Sequence, residues 1–214
     1  MEHLIRNWTA SVKQIYTGVL LYSILGIVDS ILSPILSLAD TASSILSFAG
    51  GGGYGGSGIF GTLSVLISLG IVAGYILYFL GLIKFQPLQQ SPIDNAAIGK
   101  IKTAAILIAV GSLLSFIPVA GGFLDGILSF IGFIINIMAF STLKSSATFP
   151  NKGKEGASKI FTAMILQIIA VCLGWIPIVN FISAILSIIA FILILSGWAC
   201  IKNSQPHKVE NAVL

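Results

Sequence analysis

Long apolar runs alternate with short polar segments along the whole chain. The first run follows Gln14 (IYTGVLLYSILGIVDSILS), and the second ends just before Lys84 (IFGTLSVLISLGIVAGYILYFLGLI). Four more runs follow between residues 100 and 202. Each is close to the roughly 20 residues that an α-helix needs to cross about 30 Å of hydrocarbon. The pattern predicts an all-α, polytopic membrane protein with six transmembrane helices.

The composition indicates the same class of protein. Of the 214 residues, 56% are hydrophobic and only 8% are charged, whereas a soluble domain carries about 25% charge. A chain this apolar cannot cover a surface that faces water, so the lipid bilayer is its expected partner. The net charge of +4 comes from short, scattered lysine clusters. No nucleic-acid partner is therefore expected.

The last four runs form two similar sequences, residues 100–144 and residues 159–202. Before the turn, matching residues are separated by 59 positions, and after the turn by 58. Beyond the apolar positions, the matches include Lys100 with Lys159, Thr103 with Thr162, Pro118 with Pro177, Ser129 with Ser187 and Lys144 with Lys202. We interpret this as a duplicated helical hairpin. Pro118 and Pro177 are predicted to be structural residues that end or kink a helix at the turn.

These boundaries divide one predicted membrane domain, residues 1–214, into three hairpins. The segments are hairpin one (14–84), a linker (85–99), hairpin two (100–144), a linker (145–158), hairpin three (159–202) and a tail (203–214). Hairpin one is interpreted as a more diverged third copy with an insertion in its outer turn.

The insertion in hairpin one has two parts. In residues 31–48, apolar residues recur at helical spacing with serines and Asp40 between them. This predicts an amphipathic helix on the outer membrane surface, with continuation of the first helix as the alternative. Residues 49–58 (AGGGGYGGSG) contain seven glycines and predict a flexible loop. No GK[ST] sequence follows, so a phosphate-binding loop is not indicated.

The basic residues predict the topology. All eleven lysines and arginines lie in alternate segments: before the first span, between spans two and three, between spans four and five, and after span six. The positive-inside rule then places both termini in the cytoplasm. Trp8 and Arg6, in the polar lead-in, are expected at the membrane interface. The expected location is the cell membrane of a bacterium or archaeon.

Few side chains are suited to chemistry. His3 and His207 lie in the polar tails, and Cys172 and Cys200 lie inside apolar runs without a CxxC motif. No metal-binding motif or catalytic Ser/His/Asp set is present. We therefore expect no enzyme activity, no catalytic residues, no metal and no cofactor.

Two pairs of residues are candidates for helix contacts. Gly70 and Gly74 form a GxxxG pair, which allows another helix to approach closely. Asn136 and Gln167 lie mid-span and are predicted to form interhelical hydrogen bonds. Because spans four and five are joined by a short loop, the two amides are expected to bond to each other.

Both later hairpins contain the pattern Lys-Ile-x-Thr-Ala, then Ile-Pro, then Ile-Leu-Ser and a final Lys. In this pattern the chain resembles uncharacterised small multi-pass membrane proteins of bacteria and archaea built from repeated transmembrane hairpins. The resemblance covers about half of the chain and implies only the fold.

Two functions are compatible with the sequence. The first is a non-catalytic scaffold, assembly factor or partner subunit that acts through helix packing, as a homo-oligomer or with another membrane protein. The alternative is a channel, pore or carrier for a small solute or ion, because transporters often arise by duplication. In that case Asp29, Asp40 and Asp125 would form an outer acidic ring that attracts cations.

Overall fold

The computed structural model describes residues 2–48, 57–115, 117, 121–174, 176 and 180–204, and the secondary structure in them is helical. The six α-helices are α1 (Glu2–Phe48), α2 (Ser57–Phe85), α3 (Pro92–Leu114), α4 (Gly121–Ser145), α5 (Asn151–Gly174) and α6 (Asn180–Lys202). A short 3₁₀ helix, Gln86–Leu88, follows α2. Pro118, Pro177, residues 49–56 of the predicted glycine-rich loop and residues 205–214 of the tail lie outside the described residues.

All six helices contain a segment long and apolar enough to cross a membrane. The segments are Glu2–Asp29, Val65–Leu88, Pro92–Leu114, Gly121–Ser145, Asn151–Gly174 and Phe181–Lys202. The predicted six-helix polytopic membrane protein is therefore confirmed.

The insertion in hairpin one is helical at both ends. Residues 31–48 continue α1 without a break, so they are helical as predicted but do not begin a separate helix. With 47 residues, α1 is about twice as long as one bilayer crossing requires. Ser57 and Gly58, placed in the loop by composition, already belong to α2.

The helices also begin earlier than the apolar runs. α3 starts at Pro92, within the predicted linker 85–99, and the Ser91 hydroxyl caps it by accepting the Ile93 backbone N–H at 3.3 Å. Proline suits the first helical position because its missing N–H would have no partner there. α5 likewise starts at Asn151, within the predicted linker 145–158. The predicted hairpin boundaries mark where the apolar runs begin, and the helices extend beyond them.

The chain forms two compact units, described separately here. The first comprises Met1–Tyr16 and Phe79–Leu214, and the second is Thr17–Tyr78. In the first unit, α3 packs on α4, α5 packs on α6, and α4 also contacts α5. In the second unit, Tyr22, Tyr75 and Tyr78 form a cluster with ring centroids 6.0–6.1 Å apart.

The same register of buried positions recurs in the first helix of each hairpin. The seven buried residues of α5 each lie 59 positions after a buried residue of α3, as Ile160 follows Ile101. The buried residues of α1 are spaced in the same way as those of α3. The first of them is Trp8 in α1 and Asp94 in α3. In α4 and α6 the buried pairs separated by 58 positions include Phe140 with Trp198.

Candidate functional site

The helices of hairpin three approach most closely where two glycines face each other. A Cβ atom on Gly197 would lie 2.7 Å from the Gly156 carbonyl oxygen and 2.5 Å from Ile160 Cγ1. A Cβ on Gly156 would in turn meet the Gly197 carbonyl oxygen. Only glycine allows this backbone separation, so α5 and α6 are held in van der Waals contact near their lysine-bearing ends.

Corresponding contacts occur in the other hairpins. In the first unit, a Cβ on Gly81 would lie 3.1 Å from the Ser11 carbonyl oxygen and 2.8 Å from the Ile15 nitrogen. In hairpin two, a Cβ on Gly132 would lie 3.0 Å from the Ala104 carbonyl oxygen. Backbone approach through small residues is therefore a common feature of all three hairpins.

The predicted GxxxG pair lies on the contact between α1 and α2 within the second unit. A Cβ on Gly74 would lie 2.6 Å from the Tyr22 nitrogen and 3.1 Å from the Gly18 carbonyl oxygen. A Cβ on Gly70 would meet only the end of the flexible Leu25 side chain. Gly74 thus faces rigid backbone, whereas a side chain at Gly70 could be accommodated by movement of Leu25.

At the lysine-bearing end, lysines of one hairpin contact aromatic rings of the next. The Lys144 ammonium, at the end of α4, lies 3.4 Å from the centroid of the Phe161 ring on α5. The Lys202 ammonium, at the end of α6, lies 4.6 Å from the centroid of the Tyr16 ring on α1. Both are cation–π contacts that join neighbouring hairpins.

A third contact joins hairpin one to hairpin two. The Lys102 ammonium on α3 donates a hydrogen bond of 2.6 Å to Gln86 Oε1, directly after α2. When the hairpins are aligned by their buried positions, Gln86 takes the place of Lys144 and Lys202. Lys102 takes the place of Phe161 and Tyr16. Within the first unit, these contacts therefore join hairpins two and three to Tyr16 of α1 and to Gln86 after α2 in a closed circle, which we call the lysine-end ring.

An aromatic cluster fills the same end of the first unit. Trp8 is 2% exposed, and its ring centroid lies 4.6 Å from that of Phe85 and 6.1 Å from that of Phe149. Its expected place at the membrane interface stays a prediction, but the ring is buried against protein and does not face lipid. The indole Nε1 has no hydrogen-bond partner among the described residues.

A buried carboxylate lies at this end as well. Asp94 is 3% exposed, and its Oδ2 accepts a 2.6 Å hydrogen bond from the Thr148 hydroxyl. Thr148 is in turn 3.0 Å from the Ser146 hydroxyl. Asp94 thus ties the beginning of α3 to the α4–α5 connection. The sequence analysis missed this residue, although its position two residues after a serine–proline helix start was a signal that it lies in a first helical turn.

The predicted bond between Asn136 and Gln167 is not formed. Asn136 Oδ1 is buried and has no hydrogen-bond partner in the described part of the chain. Gln167 instead lines a cavity. The prediction failed because a short connection makes two helices neighbours without fixing which faces they turn towards each other.

Replacing Asn136 by leucine is expected to leave stability unchanged or raise it. The buried amide oxygen without a partner is unfavourable, and leucine removes it at similar volume. Thermal unfolding in detergent measures the effect, with Met138→Leu at an exposed position as the control. A loss larger than about 1 kcal/mol would mean that the amide bonds to a partner that leucine cannot replace.

A cavity of about 670 Å³ lies between α4, α5 and α6. Its lining includes Ser129, Phe130 and Phe133 of α4, Gln167, Val171 and Cys172 of α5, and Ser183 and Ser187 of α6. Its volume is within the range of small-molecule sites. It begins at Gln167, eight residues beyond Lys159, or about 12 Å along the helix. The cavity therefore lies in the half of the first unit away from the lysines.

The serines of the cavity bond within the protein. Ser129 Oγ donates to Asp125 Oδ1 at 3.1 Å, and Ser183 Oγ donates to the Ala170 carbonyl at 2.7 Å. Ser187 Oγ donates to the Ser183 carbonyl at 2.9 Å. No described residue forms a hydrogen bond with the Gln167 side chain. Each serine hydroxyl therefore uses its one donor within the protein, and of these polar groups the Gln167 amide is the one whose donors remain available to a ligand.

No group of three or more His, Cys, Asp and Glu residues in the described ranges is placed to hold a metal ion. The thiol group of Cys200 lies 3.2 Å from the Lys159 ammonium, which also forms a 2.8 Å ion pair with Glu155. These contacts link α5 to α6 close to the glycine contact of hairpin three.

Searches of protein-family models, curated proteins and solved structures found no match to this chain.

Proposed function

We propose that this integral membrane protein is a non-catalytic scaffold, assembly factor or partner subunit that acts through helix packing. The lysine-end ring is the observation that carries the proposal. Through the contacts of Lys144, Lys202 and Lys102, it joins hairpins two and three to each other, to Tyr16 of α1 and to Gln86 after α2. Around it, Trp8 and Phe149 fill the space between helices. A closed and filled end favours a fixed frame over an open conduit.

We further propose that the frame consists of three copies of one hairpin. The proposal is supported by the shared register of buried positions in α1, α3 and α5 and by the corresponding glycine contacts at Gly81 and Gly197. Hairpin one would then differ from the others mainly by the longer α1 and the insertion that follows it. In the topology predicted from the basic residues, hairpins two and three share one orientation, so the proposed repeat is parallel and not inverted.

The frame presents apolar surfaces to its surroundings. On α2 alone, more than half of the side-chain surface is exposed at Val65, Leu66, Leu69, Val72 and Ile76. In a bilayer these side chains contact lipid, another copy of the chain or a partner helix. Such contacts between transmembrane helices depend on close van der Waals packing.

The alternative is a channel, pore or carrier for a small solute or ion. It is supported by the cavity and by two mid-span amides without hydrogen-bond partners among the described residues, since a conducting path needs polar groups. The two functions make different predictions for purified protein in liposomes. The scaffold proposal expects ion and solute flux at the background of empty liposomes.

Flux clearly above background, abolished by Gln167→Leu, would overturn the scaffold proposal. Ile169→Leu, at an exposed position of α5 that does not line the cavity, is the matched control. Size-exclusion chromatography with light scattering on the same sample measures whether the chain forms a homo-oligomer.

We also propose that both termini are cytoplasmic, in a bacterial or archaeal cell membrane, because all lysines and arginines lie on alternate connections. Reporter fusions are expected to read as external after Gly58, Gly122 and Asn180, and as cytoplasmic after Gln90, Gly153 and Leu214. An external reading at Gln90 would contradict the six-span topology with both termini inside.

A further inference from the structure

The cavity between α4, α5 and α6 is closed towards the lysines. On that side, Gly156 and Gly197 bring α5 and α6 into backbone contact, and Lys144 lies against the Phe161 ring. On α5, the residues that line the cavity begin at Gln167, beyond these contacts. A ligand can therefore enter from the membrane half away from the lysines, and its route does not continue past the ring.

The walls of the cavity are largely apolar. Phe130, Phe133, Ile168 and Val171 supply large hydrophobic surfaces, and Phe130 is 66% exposed. An empty space of about 670 Å³ would leave these walls without van der Waals partners on one side. The apolar part of a membrane-dissolved molecule restores those contacts, whereas a freely water-soluble polar solute does not.

The inner end of the cavity carries one unused hydrogen-bonding group. The Gln167 amide lies about 12 Å along α5 from Lys159, which is near the middle of a bilayer crossing. At that depth water does not solvate an amide, and a missing partner is costly. The serines bond to other protein groups, so Gln167 selects for a ligand oxygen that reaches mid-membrane depth.

We propose that the cavity binds an amphiphile that carries a hydroxyl or carbonyl group part-way along an apolar chain. The chain packs against Phe130, Phe133 and Val171, and the oxygen bonds to the Gln167 amide. This site does not depend on the scaffold proposal, because a fixed frame and a carrier could both hold such a ligand.

Cys172 provides a direct measurement, because it lines the cavity, is exposed, and is one of only two cysteines. In a Cys200→Ser background, Cys172 is the single thiol. The experiment measures its alkylation rate by a maleimide in mild detergent, with 12-hydroxystearate or stearate titrated over the same concentration range. The two probes differ only in the mid-chain hydroxyl.

We expect both fatty acids to slow alkylation, and 12-hydroxystearate to do so at about three- to ten-fold lower concentration, the range that one net hydrogen bond gives. Gln167→Leu should abolish this difference while stearate still protects. Gln167→Met keeps the length of the side chain and removes the amide, so it separates loss of the hydrogen bond from a change of packing. Ile169→Leu should retain the difference, and unchanged melting temperatures show that the variants are folded.

Three outcomes would overturn the proposal. Equal protection by both probes would mean that Gln167 does not bond to the ligand. Absence of protection by either would mean that no chain enters the cavity. Protection by glycerol with none by the fatty acids would make the cavity a site for water-soluble solutes.

Discussion

Trp8→Ala is expected to destabilise the protein by about 3–5 kcal/mol, the usual effect of removing a large aromatic side chain from a packed core. The indole is 2% exposed and contacts Phe85 and Phe149. Its loss leaves a cavity where α1, the end of α2 and the α4–α5 connection meet. Thermal or denaturant-induced unfolding in detergent measures the effect.

Two variants test the reason for this loss. Trp8→Phe keeps an aromatic ring and removes the buried indole N–H that lacks a partner among the described residues, so it should lose less than half as much. Thr9→Ala, at an exposed neighbouring position, should change little. If Trp8→Ala unfolds like the wild type, Trp8 does not belong to the core of the folded protein in detergent.

Gly197→Leu is the second substitution with a large expected effect. A side chain at this position would meet the Gly156 carbonyl and Ile160, so α5 and α6 would have to separate. Overpacking of this kind costs about 1–3 kcal/mol and occasionally more. Leucine also has the higher helix propensity, which favours the variant by up to about 1 kcal/mol. The steric cost is therefore at least as large as the net loss of stability that is measured.

Gly126→Leu is the matched control for Gly197→Leu. A Cβ at Gly126 has no other atom within 4 Å beyond its neighbours in the helix. The same change of residue type should then be neutral or slightly stabilising. Equal melting temperatures for the two leucine variants would show that hairpin three does not hold its helices at the glycine contact.

The helices and candidate spans could be predicted from the sequence because a bilayer imposes a simple length and polarity rule on each segment. This rule does not predict where a helix begins in the polar segments outside the hydrocarbon. Pro92 and Asn151 begin their helices in polar sequence, where capping and local propensity decide the start. Residues 31–48 continue α1 although they contain Pro34, a residue that usually kinks or ends a helix, so the proline did not mark the end of this helix.

The contacts between hairpins could not be predicted in the same way. Lys144 and Lys202 indicated topology, but their contacts with Phe161 and Tyr16 depend on how each helix is rotated about its axis. The same rotation turns Gln167 towards the cavity and not towards Asn136. These spans are apolar on nearly every face, so the sequence contains little information about how each helix is rotated about its axis.

The short turns also bear on how the chain enters the membrane during synthesis. α3 ends at Leu114 and α4 begins at Gly121, so only six residues separate two apolar helices. At about 5–20 residues per second, the ribosome completes both within roughly ten seconds. The contact of Gly132 with Ala104 is available as soon as α4 has emerged. Each such hairpin can therefore leave the translocon as a packed pair, with its short, largely apolar turn carried across in a single step.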